Sequence, residues 1–164
     1  MRELRNYHAN GVSFSEEPRP DASELLERIP DEGTLHLAIL QPPYLDLISS
    51  GVKTIESRFN TKKAAPFGKV AVGDLVLLKH SGLPVTNYFF AESVQLIDLS
   101  EEPIEEIQRR YAEGICAQNE KEFWREKASS TYCTLVGVGD RGSIEPLSVH
   151  KKDQRGWVTF TRIT

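Results

Sequence analysis

Apolar residues along this chain recur mostly at alternating spacing, the spacing of strands, with helical periodicity confined to shorter stretches. In "TLHLAILQ", Leu35, Leu37 and Ile39 alternate with His36, Ala38 and Leu40, which predicts a core strand. "GDLVLLKH" reads as a strand launched from a Gly-Asp turn. "NYFFAESVQLIDL" reads as a long strand after the loop "SGLPVTN". "TYCTLVGVG", "SIEPLSV" and "GWVTFTRI" are expected as closing strands. Helical spacing predicts a short helix in "PDASELLERIP", with Asp21 or Ser23 near its N-cap, Leu25, Leu26 and Ile29 on its apolar side, and Pro30 at its end. A second short helix, "PYLDLISSG", starts at Pro42-Pro43, buries Leu45 and Ile48, and places Gly51 just past its end. Ile104, Ile107 and Tyr111 mark an amphipathic helix in "EEPIEEIQRRYAEG", and "NEKEFWREK" a further one carrying Phe123 and Trp124. Residues 1–20 show little periodicity and read as an irregular arm. The expected organisation is an N-terminal extension with a short helix over 1–33 and a domain over 34–164. The expected class is mixed α/β, mainly β: a small barrel flanked by short helices.

The stretch "SGVKTIESRF" departs from a plain strand pattern. Ile55 and Phe59 share one parity, while Thr54, Glu56 and Arg58 share the other. On a strand the three polar groups form a row on one face, with Lys53 at its entry beside Gly51. Arg58 offers a planar fork and Lys53 a point charge. Glu56 suits a role orienting either cation, or accepting a donor from a base edge or exocyclic amine. A lysine beside another cation and partly desolvated is a candidate base or nucleophile.

Composition narrows the function classes. The chain has 164 residues, enough for one domain with a core. No apolar run is long enough for a membrane span and no apolar signal-peptide core opens the chain, so a cytoplasmic protein without membrane contact is expected. Cys116 and Cys133 stand apart from any compact Cys/His cluster, which argues against a zinc site or disulfide scaffold. No P-loop and no dinucleotide fingerprint occurs, Ser129-Ser130 lacks a nucleophile-elbow pattern, and His36, His80 and His150 are scattered. No cofactor and no metal are expected. The net charge of −4 gives no global attraction to nucleic acid. Locally the balance reverses: between Gly51 and His80, Lys53, Arg58, Lys62, Lys63, Lys69 and Lys79 face only Glu56 and Asp74. Lys62, Lys63 and Lys69 suit phosphate contacts. Phe67 in the same loop, and Tyr44 near the motif, suit stacking on a base or simple packing. The segment Glu101–Glu126 is acidic.

The stretch "LAILQPPYLDLISSGVKTIESRF" resembles the ASCH family, a relative of the PUA-like barrels. The family signature is a strand, a short helix and then G-x-K-x-x-E-x-R, matched here by Gly51, Lys53, Glu56 and Arg58. "VGDLVLL", and "YFFAESVQLIDL" with Glu92, resemble the strands that follow, so the resemblance runs from about Leu35 to Ile163. It implies a PUA-like barrel with a cleft beside the motif, and RNA or a nucleoside- or nucleotide-derived small molecule as partner. Some small members hydrolyse acylated cytidine, and some cleave RNA. In the amidohydrolase members the signature Lys is catalytic, a Thr acts as nucleophile, and a Glu from the later helical segment assists. Here Glu56 stands in the place of that Thr, and the later segment aligns near "EGICAQNE", with Cys116, so the chain is closer to the Glu-bearing branch.

The reading of function is therefore binding of RNA or a nucleotide-derived ligand in a cleft lined by Tyr44, Lys53, Thr54, Glu56 and Arg58, with Lys62, Lys63 and Phe67 as further contacts. One alternative is a hydrolase of a modified nucleoside or of RNA, with Lys53 central and Glu56 beside it. Another is a protein-interaction adaptor using the acidic helices of 101–126.

Overall fold

The computed structural model describes residues 2–163. Its strands are β1 (Tyr7–His8), β2 (Val12–Phe14), β3 (Leu35–Leu40), β4 (Ile55–Asn60), β5 (Leu75–His80), β6 (Val85–Asp98), β7 (Tyr132–Leu147), β8 (Val149–Lys151) and β9 (Trp157–Arg162). Its α-helices are α1 (Pro20–Glu27), α2 (Tyr44–Ser49), α3 (Ile104–Ile115) and α4 (Lys121–Lys127). A seven-stranded sheet runs β1-β9-β3-β5-β6-β7-β4, and β2 pairs with β8 in a separate ribbon. Only β3 and β5 run parallel, joined by a crossover through α2 and β4; the other ladders are antiparallel.

The strand alternation explains the layers. On β3, Leu35 and Leu37 face one core and Ala38 and Leu40 another, so the strand is buried on both sides. The first core is covered by the N-terminal segment: Leu4, Tyr7, Ala9 and Val12 join Leu25, Leu26 and Ile29 against Leu75, Leu77 and Phe160. Residues 1–20, expected as an irregular arm, therefore supply β1 and β2 and part of a core. The second core is filled by Leu45 and Ile48 of α2 against Val76, Leu78, Phe89 and Trp157. The third lies under α3 and α4, where Ile107, Ile115 and Trp124 meet Cys133 and Leu135.

The expected barrel is a strongly curved open sheet. No ladder joins edge strand β4 to β3 or β9 among the described residues. Yet Arg58 on β4 donates from Nη2 to Ile39 O on β3 at 3.1 Å, and from Nη1 to Gly156 O, just before β9, at 3.0 Å. A side chain spans the gap where a ladder would close the barrel.

Smaller differences have local causes. β7 is continuous where two strands were expected, its long pairing with β6 absorbing register shifts at which Gly137 and Gly139 sit. β6 starts at Val85, inside the expected loop, pairing with Leu147. Helix α1 opens on Pro20, with Arg19 as N-cap and no side-chain cap; the Asp21 carboxylate instead accepts from Glu145 N at 3.1 Å.

Candidate functional site

The curvature leaves a cleft of about 1130 Å³ between β4, the ends of β3 and β9, and α4. Glu56 and Arg58 line it from one face of β4, as strand parity requires, Lys53 joins them from just before the strand, and Ser57, Phe59 and Asn60 also reach the lining. Helix α2 ends in Gly51, at φ +84°, a conformation glycine adopts without a Cβ penalty. That turn delivers Lys53 into the cleft just before β4 begins.

Lys53 is 2% exposed. Its ammonium donates to Ile55 O at 2.7 Å and to Ile115 O at 2.8 Å, and stands 3.7 Å from Glu56 Oε2. Ile115 is the last residue of α3, whose carbonyls lack partners within the helix, so a cation there also meets the negative end of the helix dipole. Cys116 closes that helix in the left-handed region, at φ 66°. Burial pushes the Lys53 ammonium below its usual value; the Glu56 charge opposes this without cancelling it. Two of three N–H donors are held by backbone, which leaves one for Glu56 or a ligand.

Glu56 is 4% exposed. Its Oε1 accepts from Arg58 Nε at 3.0 Å. With two further bonds to Gly156 O and Ile39 O, the Arg58 guanidinium is engaged with protein on all three nitrogens. Three of the five N–H groups of the Arg58 fork thus tie the cleft walls together. Behind it stands Trp157, with Arg58 Cζ 5.4 Å from the ring centroid. The Trp157 indole N–H donates to His36 Nδ1 at 3.1 Å, and His36 Nε2 lies 2.7 Å from Asp74 Oδ2. An indole only donates, so Nδ1 accepts and the imidazole proton sits on Nε2, facing the carboxylate. Asp74 also accepts from Thr34 N and Ala71 N. His36 is thus a strut for the cleft wall.

Tyr44 lines the cleft on the α2 side, its ring centroid 5.2 Å from Lys53 Nζ. Burial, and then the nearby Glu120 and Glu56 carboxylates, push its phenol upward in pKa. Phe59, Phe123 and Trp157 supply further aromatic surface, and Lys69, Lys127 and Arg155 supply cations.

Of the residues singled out from sequence, Tyr44, Lys53, Glu56 and Arg58 come together on the cleft. Thr54 is exposed and outside its lining: its backbone is taken by Gly114 O and Val138 N. Lys62 and Lys63 are exposed and do not line it. Phe67 packs against Tyr132, ring centroids 5.0 Å apart. Sequence reading missed Glu120, Phe123, Glu126 and Lys127, brought over the cleft by α4, and Arg155 and Trp157 from the approach to β9. The one available signal was the "EFW" cluster, whose Trp124 turns inward to donate to Ala117 O at 2.9 Å while Phe123 faces the cleft.

No protein-family model matches the sequence, and no curated protein matches it. Among solved structures, the ASCH protein of Zymomonas mobilis matches with a TM-score of 0.53 at 18% identity, over 69% of this chain and 72% of that one. Two single-residue variants of the same protein match at 0.53 and 0.52, each over 68% of this chain. At that identity the likeness speaks for the architecture alone. The chain has the ASCH fold.

Proposed function

We propose that this ASCH-type domain binds RNA or a nucleotide-derived ligand in the cleft beside Lys53, Glu56 and Arg58. The observation that carries the reading is the Lys53–Glu56 pair: a buried ammonium with one uncommitted donor 3.7 Å from the Oε2 of a buried carboxylate, an oxygen that accepts no hydrogen bond from the described residues, in an aromatic-walled cleft. A donor next to an acceptor matches the edge of a nucleobase, and Tyr44, Phe59, Phe123 and Trp157 offer faces for stacking. Lys69, Lys127 and Arg155 suit phosphates leaving the cleft. Such a pair buried without a ligand to read is a poor source of stability, since desolvation offsets its attraction. No described helix is long and apolar enough to cross a membrane. We place the protein in the cytoplasm, where its two free thiols stay reduced.

One observation favours turnover as a second reading. Burial raises the share of neutral Lys53 amine, the form that acts as base or nucleophile. The test is a screen of nucleosides, N4-acylated cytidine and short single-stranded RNAs for both binding and product formation, with Lys53→Ala as control. Saturable binding lost in Lys53→Ala supports the cleft. Binding unaffected by Lys53→Ala removes it, and binding without product disposes of the hydrolase.

A further inference from the structure

Lys79 stands where the alternation of β5 calls for an apolar residue. Leu75 and Leu77 face the first core, and Lys79 continues their row. A register shift between Leu78 and Lys79 interrupts the ladder at this point, the kind of irregularity that re-aims a side chain. Lys79 is 6% exposed, and its ammonium makes no hydrogen bond or ion pair with any described residue. It lines a second pocket of about 400 Å³ under the β5–β6 loop, with Lys151 and Arg155. Asp153, the one carboxylate lining it, is already held by Lys151 Nζ at 3.2 Å and Arg155 Nε at 2.9 Å. The strand pairing alone would be served as well by methionine or leucine. The stem is buried, and the ammonium reaches solvent inside this pocket, beside a second lysine. Burial, and then Lys151, push its ammonium below the usual value.

The pocket is continuous with the cleft: Ile39, Ser81, Gln154, Arg155 and Gly156 line both. We infer that Lys79 and Lys151 form an anion subsite that takes a backbone phosphate of a nucleotide chain whose neighbouring base lies in the cleft. The inference rests on the nucleotide reading of the cleft. An extended ligand passes Gly156 beside the Arg58 guanidinium, with Arg155 on the shared wall. With Arg155 already paired to Asp153, Lys79 and the one N–H that Lys151 does not spend on Asp153 suit a phosphodiester, which carries one charge and two unshared oxygens.

The test compares wild type with Lys79→Met, which keeps the stem volume, and Lys79→Arg, which keeps the charge. Three probes are used: cytidine for the cleft alone, tricytidylate for cleft and pocket, and inorganic phosphate for the pocket alone. Lys79→Met is expected to weaken tricytidylate about tenfold and to lower its log–log salt slope by about one. Cytidine binding stays unchanged, and Lys79→Arg recovers most of the loss. Phosphate is expected to shift the backbone amide signals of Gly82 and Lys151 in wild type and not in Lys79→Met. Equal binding of tricytidylate by wild type and Lys79→Met overturns the subsite while leaving the cleft reading intact. If wild type binds neither cytidine nor tricytidylate, the cleft reading fails. A Lys79-dependent phosphate shift in that case keeps the anion site and overturns its assignment to a nucleotide chain, and absence of the shift overturns both.

Discussion

Replacing Arg58 by lysine separates a structural clamp from a free ligand-binding fork. The guanidinium holds Glu56 Oε1 at 3.0 Å, Gly156 O at 3.0 Å and Ile39 O at 3.1 Å, and its side chain is 18% exposed. A lysine ammonium reaches one of these acceptors, naturally the Glu56 carboxylate, and forfeits the other two. A hydrogen bond involving a charged group contributes about 1.5–3 kcal/mol, less where water replaces the donor. The carbonyl of Gly156 is at the exposed end and loses least. Losing both carbonyl bonds, with Glu56 less well held, is expected to cost about 2–4 kcal/mol. For a chain of this size that lowers Tm by roughly 4–16 °C. Thermal unfolding followed by circular dichroism measures it, with urea midpoints as a check. A Tm within ~1 °C of wild type would refute the clamp, and would mean the barrel gap is held by the sheet's own curvature.

Asp74→Asn is expected to destabilise by about 2–4 kcal/mol in urea unfolding, because one carboxylate accepts from Thr34 N, Ala71 N and His36, and an amide nitrogen turned toward any of them opposes a donor with a donor; an unchanged urea midpoint would contradict the strut. Lys53, whose value burial lowers from 10.5, binds fewer protons folded than unfolded between its lowered value and 10.5. Wild-type stability should therefore rise with pH through that window relative to Lys53→Met, and parallel curves would show that the ammonium carries no penalty. Burial pushes the Cys133 thiol up to about 12, while Cys116 is only half-buried. A disulfide reagent at pH 8 should therefore label Cys116 in the native protein and Cys133 only on unfolding; equal labelling rates would contradict the burial.

The motif region was legible because strand parity is a local property. Once "TIESRF" is a strand, Glu56 and Arg58 must share a face, and Gly51 must turn the chain just before them. The class and the helices followed from the same periodicities. What lay beyond reach depends on which backbone stands opposite. Nothing in "SRF" says that Arg58 will meet the carbonyls of Ile39 and Gly156, so a guanidinium largely held by protein looks like a free one. Lys62 and Lys63 follow β4 in a loop, and a loop carries no period to say which way its side chains face; here they stay outside the cleft lining. The N-terminal arm hid β1 and β2 because strands of two and three residues show no alternation to read. Lys79 sits in an apolar run and drew notice only as one more positive charge, since its missing partner is a tertiary fact.

Chemical-shift mapping of backbone amides during titration with tricytidylate tests the central claim most directly. The account predicts shifts clustered at Tyr44, Lys53, Glu56, Phe123 and Trp157, growing with ligand and absent in Lys53→Ala. Shifts confined to the acidic outer face of α3, around Glu105, Arg109 and Glu113, or shifts that survive Lys53→Ala unchanged, would contradict it.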